Sequence, residues 1–215
     1  TRLLDPQQVG WSAWANRDAA NFSGEDFLEL KNEIASAGGN VQPIKVRTAT
    51  PGGAYAYEIV FGHRRHRACL ELGLPVLAVI DNLGEVELFV QMDRENRSRK
   101  NLSAWEQGMM YLRALEAGLF PSNRKLAEVV GADLAQVGKA LALARLPKEV
   151  VEAFASPLDL QFRWAKSLAD SAQSDAVGLI ERARLASALG PARSPRAVLD
   201  VLLNGAGQGG GTVLP

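Results

Sequence analysis

Tyr57-Glu58-Ile59-Val60-Phe61-Gly62-His63-Arg64-Arg65-His66-Arg67-Ala68-Cys69-Leu70-Glu71-Leu72 holds the change of pattern on which the fold turns. Up to Phe61 the residues are β-branched and aromatic, the make-up of a strand. After Gly62 the chain reads as a helix that Gly73 stops. Both histidines of the chain and three arginines follow Gly62 directly. A glycine lets the backbone turn closely, a helix start points unpaired N–H groups outward, and guanidinium forks match phosphate oxygens. Strand, glycine and basic helix start therefore form a phosphate cradle, with Gly62, His63, Arg64, Arg65 and Arg67 as candidate phosphate contacts. A solvated charged turn has the same composition. His63, His66 and Cys69 also recur every three residues. A zinc site with such ligands wants a fourth, none is evident, and three arginines repel a cation, so Cys69 reads as a small core side chain.

Upstream of that stretch, Ile44-Lys45-Val46-Arg47 and Tyr55 to Phe61 are short alternating runs separated by Pro51-Gly52-Gly53, which predicts a β-hairpin. Before it, Phe27, Leu30 and Ile34 recur at three and four with acids in the first turn, an amphipathic helix ended by Gly38-Gly39. Residues 1–20 carry Trp11 and Trp14 without a sustained period and read as an N-terminal arm. Downstream, Val76 to Ile80 is a buried-strand candidate, and beyond Glu85 the pattern is wholly helical.

A second polar cluster, Arg94 to Asn101, precedes a capping box at Ser103 and Glu106. Glu95 and Asn96 offer oxygen ligands suited to magnesium, and Arg99 adds charge against a phosphate. Arg124 to Leu141 has helix-turn-helix spacing: Leu126, Val130, Ala132, Val137 and Ala140 face a shared core, Ala127 allows a close crossing, Gly131 makes the left-handed turn and Asp133 caps the second helix. That arrangement sends Ala135, Gln136, Gly138 and Lys139 toward a major groove, with Gln136 suited to adenine and Lys139 to guanine or phosphate. Arg124 and Lys125 would meet the DNA backbone. Arg163, Lys166 and Arg193 are further candidates. Two or three more helices are expected over 148–189 and one over 196–203, and residues 205–211 are glycine-rich.

Composition sets outer bounds. At 215 residues, 47% of them apolar, the chain can bury a sizeable core. Basic and acidic residues balance at 24 each, so a nucleic-acid surface has to come from local clustering. One cysteine rules out an internal disulfide and fits a reducing compartment, with cytoplasm as the default. No apolar run approaches membrane-spanning length.

Four ordered stretches together resemble the ParB family of partition proteins. Gly39-Asn40-Val41-Gln42-Pro43-Ile44-Lys45-Val46-Arg47 looks like its first motif, and Gly62 to Ala68 its second, usually Gly-Glu-Arg-Arg-x-Arg-Ala. Glu95 to Leu102 looks like its third, Glu-Asn-x-x-Arg-x-x-Leu, and Gly131 to Pro147 is similar to its helix-turn-helix. The resemblance implies an α+β ParB/sulfiredoxin-like nucleotide-binding domain followed by an all-α helix-turn-helix domain. It implies CTP and Mg2+ as cofactors: Gln42 lines the pocket, Gly62, Arg64 and Arg65 hold the triphosphate, Glu95 and Asn96 complete the magnesium shell, and Arg99 supports them. His63 stands where the family usually has glutamate, so at most a weak CTPase is expected.

The expected order is an arm at 1–20, the CTP-binding domain at 21–102, a helical DNA-binding domain at 103–190 with the helix-turn-helix at 122–146, and a linker or flexible tail at 191–215. The implied role is a CTP-gated homodimeric clamp on a parS-like double-stranded DNA site in plasmid or chromosome segregation, in the bacterial cytoplasm on nucleoid or plasmid DNA. Ala132-Asp133, Gly138 and the approach to the first helix look more like plasmid or secondary-chromosome relatives. The start at Thr1 and the glycine-rich end suggest a piece of a longer protein, with a separate dimerisation domain and an N-terminal tail that contacts a ParA-type ATPase. A KorB-type repressor shares every motif. A small-molecule enzyme on the sulfiredoxin-like fold is a further alternative, although no cysteine stands in the turn after Gly62.

Overall fold

The computed structural model describes residues 1–15, 22, 24–49, 51–98, 103–188, 190 and 193–205. The chain divides into two units, Thr1–Ser98 and Arg99–Pro215.

The first unit is built on a five-stranded mixed sheet. Its strands are β1 (Arg2–Leu4), β2 (Val9–Trp11), β3 (Ile44–Thr48), β4 (Tyr57–Phe61) and β5 (Val76–Ile80), in the spatial order β1-β5-β3-β4-β2. The expected hairpin is the antiparallel pair β3–β4, with Val46 opposite Ile59 and Thr48 opposite Tyr57. β5 returns parallel to β3 after a helical crossover. α1 (Glu25–Ala37) and α2 (His63–Leu72) are the helices whose apolar residues join the sheet's core. Phe27 and Ile34 of α1 and Ala68 and Cys69 of α2 pack with Ile44, Val46, Ile59, Val76 and Ala78. Side chains alternate along a strand, so Lys45, Arg47 and Val60 point to the other face, where α3 (Glu85–Ser98) packs on β4.

The arm expected at 1–20 is corrected by this topology. Within the described residues 1–15, the chain forms the two edge strands and the 3₁₀ turn Pro6–Gln8. Each strand is three residues long, too short to show a period, so only pairing with β5 and β4 identifies it.

The second unit is helical: α4 (Ala104–Glu116), α5 (Asn123–Val130), α6 (Leu134–Ala144), α7 (Lys148–Glu152), α8 (Ala165–Ser174), α9 (Ala176–Ser187) and α10 (Pro195–Asn204). The capping box at Ser103 and Glu106 is present. α4 crosses α6 closely because Gly108 has no side chain: a Cβ there would stand 2.0 Å from the Ala140 carbonyl oxygen. Between α5 and α6, Ala127 is buried at 4%, as its small size predicts. The helix expected over 196–203 is α10, and it belongs to the fold rather than to a linker or tail, since Val198, Leu199 and Leu202 are buried in the same core as Leu143, Trp164, Leu168 and Leu179. Arg182 ties α9 to its neighbours, donating to the Leu202 carbonyl at 2.7 Å, pairing with Asp175 at 3.0 Å and reaching Ser171 Oγ at 3.3 Å.

Candidate nucleotide and DNA interfaces

Gly62 is the N-cap of α2 and takes φ 98°, ψ 24°, a conformation that favours glycine. A Cβ here would lie 2.6 Å from Ile44 Cγ2 and 2.8 Å from Ile44 Cβ, so the turn is pressed onto the start of β3. No side chain caps α2. Its positive end carries exposed Arg64 and half-buried Arg65. The Arg65 guanidinium donates to Gln42 Oε1, joining two residues 23 positions apart. Gln42 is held in place from below by Asn40, which is 4% exposed. Asn40 Nδ2 donates to the Gln42 and Leu77 carbonyls at 3.0 and 2.9 Å, and its Oδ1 accepts the Leu77 N–H at 2.7 Å.

The other members of the basic cluster diverge. Arg67 pairs with Glu71 at 2.6 Å, and Glu71 also holds Lys31 of α1 at 2.7 Å. Lys31 and then Arg67 hold the Glu71 carboxyl below the usual carboxylate range. The first residue of α2, His63, lies with its ring centroid 4.8 Å from that of Trp11 in β2. His66 turns inward at 3% exposure, with Nε2 2.9 Å from the Pro6 carbonyl. A carbonyl only accepts, so Nε2 carries the proton. Burial pushes this imidazole below the ordinary histidine value, against the raising effect of the Pro6 bond. Cys69 is buried with its thiol directed at Asn40 Oδ1, 3.6 Å away, and burial pushes the thiol up. Both residues serve the core.

Glu95 and Asn96 lie in the last turns of α3 and are half-buried. Two contacts fix that helix along the sheet. Arg47, 7% exposed, donates to Glu58 at 2.8 Å and also to Glu85, at the start of α3. Further on, Lys45 reaches Gln91 Oε1 at 2.7 Å and Asp81 at 2.8 Å. From Glu85 to Gln91, α3 therefore runs from the level of Arg47 to that of Lys45, which pairs with Phe61. Glu95 follows one helical turn later, roughly 6 Å on, toward the end of the sheet where Gly62 begins its turn. Arg97 pairs with Asp93 at 2.8 Å. Arg99 lies outside the described residues.

In the second unit, α5 and α6 form the helix-turn-helix. Gly131 at φ 66° closes α5, Ser122 caps it by accepting the Lys125 N–H, and Asp133 caps α6 by accepting the Gln136 N–H at 2.9 Å. Leu126, Ala127, Val130, Val137 and Ala140 are buried, whereas Ala132 is half-buried. Outward, α6 shows Leu134, Ala135, Gly138 and Lys139, with Gln136 half-buried on the flank. Arg124 is exposed, and Lys125, equally exposed, pairs with Glu128 at 2.8 Å. Of the later candidates, Arg163 lies over the Trp164 ring at 5.5 Å and Lys166 is 3.6 Å from Asp170. Arg193 donates to the carbonyls of Ala153 at 2.6 Å and Gly190 at 2.8 Å, so its guanidinium closes the end of α7.

Residues 4–95 match the ParB N-terminal domain. The chain belongs to the ParB family. It is 34% identical over 149 residues to a putative replication protein B of Sinorhizobium fredii, covering 69% of this chain and 44% of that one. It is 38% identical over 133 residues to the chromosome-partitioning protein Spo0J of Thermus thermophilus, covering 61% and 47%. The chain thus spans less than half the length of these curated relatives. Among solved structures, it is similar to the C-terminally truncated partitioning protein ParB of Caulobacter crescentus complexed to the centromeric parS site. The identity is 26%, the coverage 88% of this chain and 98% of that chain, and the TM-score 0.53. No helix among the described residues is long and apolar enough to cross a membrane.

Three residues that shape this ParB domain escape a reading by motif. Asn40 sits inside the first motif, but its bonds to Leu77 join positions 37 apart. Arg47 looks like a surface strand residue until Glu85 and the Leu83 carbonyl close over it. Trp11 has an aromatic signal and no pattern. Its partners are His63 and, at 5.3 Å, Phe22, which leads on to Phe27 of α1 at 5.9 Å.

Proposed function

We propose that this chain is the nucleotide- and DNA-binding part of a partition protein, a CTP-gated homodimeric clamp that recognises a parS-type double-stranded DNA site in plasmid or chromosome segregation. The observation that carries the nucleotide half is the meeting of Arg65 with Gln42 beside the left-handed turn at Gly62. It unites two separate motifs at an uncapped helix start, where oriented N–H groups and a guanidinium suit a triphosphate. Arg64 would add charge, while Arg67, spoken for by Glu71, would not. Mg2+ would be held by Glu95 and Asn96, hard oxygen donors, and its presence would neutralise phosphate charge. His63 in place of the family's glutamate predicts slow CTP turnover. The likeness to a ParB complexed to its parS site supports DNA binding through α5 and α6, with Arg124 and Lys125 on phosphates and Ala135, Gln136 and Lys139 in the groove. The site of action is the bacterial cytoplasm, on nucleoid or plasmid DNA, with a ParA-type ATPase contacting an N-terminal tail.

Calorimetry with each of the four nucleoside triphosphates and magnesium, alone and with parS duplex, tests this reading, with phosphate release followed in parallel. CTP is expected to bind selectively. Arg65→Ala removes a charge-assisted contact worth roughly 1.5–3 kcal/mol, or about tenfold to a hundredfold in affinity. Equal CTP affinity in a folded Arg65→Ala protein would remove the pocket assignment.

A further inference from the structure

A recognition helix meets base edges with the residues at its start and those one turn later. In α6 these are Leu134, Ala135, Gly138 and Lys139, and all four are exposed, Leu134 at 44%. Hydrogen-bonding readers are scarce on this face. Asp133 is committed to its cap, with Oδ1 on the Gln136 N–H, and Gln136 itself stands on the flank beside buried Ala140. A Cβ added at Gly138 would meet nothing within 4 Å, so the helix surface is flat and open there. Lys139 is the one long polar side chain at the centre of the face.

What such a face can recognise follows from the groove. Of the four bases only thymine presents a methyl group in the major groove, and apolar side chains contact it. Single exposed leucines are ordinary, and Leu158 and Leu185 are as exposed as Leu134. Leu134 differs in place: it is the first residue of the helix that enters the groove, followed by a second apolar residue.

Resting on the DNA-binding reading above, we propose that Leu134, with Ala135, determines sequence specificity by packing on thymine C5-methyl groups. Apolar contact then carries part of the discrimination that hydrogen bonds to guanine or adenine would otherwise supply.

The test begins with selection of a preferred duplex from a randomised library by the full chain. Each thymine of that duplex is then replaced singly by deoxyuridine, which removes only the methyl, and binding is measured by fluorescence anisotropy. At one or two thymines per half-site the replacement should weaken binding about fourfold, the transfer of one methyl group. Leu134→Ala should bind the thymine duplex more weakly and no longer distinguish uracil from thymine there, whereas Leu134→Met should retain the distinction. The side chain is exposed, so the fold tolerates both changes. A selected site whose thymines are all silent, or a uracil penalty that persists in Leu134→Ala, overturns the proposal while leaving DNA recognition intact. Failure to enrich any sequence overturns the DNA-binding reading as well.

Discussion

Replacing Gly62 by alanine tests how tightly the turn into α2 is built. Two effects add. At φ 98° an alanine occupies the left-handed region, at about 1–2 kcal/mol. Its Cβ would also stand 2.6 Å from Ile44 Cγ2, 2.8 Å from Ile44 Cβ and 3.1 Å from Ile44 Cα. Rotating the tip of that side chain relieves only the first of these contacts, so the strand start or the helix start has to move, an overpacking effect of about 1–3 kcal/mol. The sum is roughly 2–5 kcal/mol, a large share of a typical stability of about 5–15 kcal/mol. Gly73 is the control, because it caps the other end of the same helix at φ 65° with nothing within 4 Å of an added Cβ. Gly73→Ala should therefore show the conformational part alone, about 1–2 kcal/mol. Urea titrations of both variants, with unchanged slope, give the two numbers. If Gly62→Ala destabilises no more than Gly73→Ala, the turn is not pressed on Ile44. The displaced helix start should also lower CTP affinity in Gly62→Ala and not in Gly73→Ala.

Further outcomes follow from other contacts. Gly108→Ala should destabilise the helical unit by about 1–3 kcal/mol or more, since its Cβ would meet the Ala140 backbone carbonyl at 2.0 Å; thermal unfolding of the variant checks this, and an unchanged Tm refutes it. The lowered His66 means the unfolded chain binds a proton that the folded unit resists. Stability should accordingly fall as pH drops below the ordinary histidine value of about 6.5, and His66→Gln, which can keep a donor for the Pro6 carbonyl, should flatten that part of the profile. The Glu71 and Asp175 carboxyls, both held low by cations, contribute in a separate window, losing their stabilisation only in the acid range. Arg124→Ala should weaken all duplexes and reduce the salt slope by about one counterion, while Gln136→Ala, on the flank of α6, should cost less on the selected site than the roughly 1–3 kcal/mol of a central base contact; anisotropy on selected and scrambled duplexes separates them.

What was legible in the sequence is what acts locally. The hairpin, α2 with its glycine ends, the Ser103 capping box and the Gly131 turn each rest on residues within a few positions of one another, and each is present. Side-chain roles set by partners on other elements were not legible. Arg67 shares the basic run with Arg65, yet a carboxylate four residues on, anchored by Lys31 of another helix, takes its guanidinium. Arg193 has the composition of a DNA contact and spends its donors on the Ala153 and Phe154 carbonyls just past α7. The motif that singled out Gln136 could not show that it sits on the flank of α6 rather than at the centre of its outward face.

The stretch from Val9 to Ala15 has the largest consequence of this kind, because it touches both parts of the proposed nucleotide site. Trp11 lies against His63 at the start of α2. One residue on, the Ser12 hydroxyl donates to Met92 Sδ of α3 at 3.3 Å and accepts the Trp14 N–H at 3.1 Å. Trp14, 8% exposed, meets Phe89 edge-on at 5.8 Å and donates from Nε1 to Glu85 at 3.2 Å. The helix that offers arginines and the helix that offers Glu95 and Asn96 lie on opposite faces of the sheet, and this edge segment contacts both. Burying Val9 and Trp14 is worth about 1.5–3 kcal/mol for a side chain of valine size and more for an indole. The folded first unit therefore includes these residues, and its structural boundary lies well ahead of residue 21, where motif and periodicity begin.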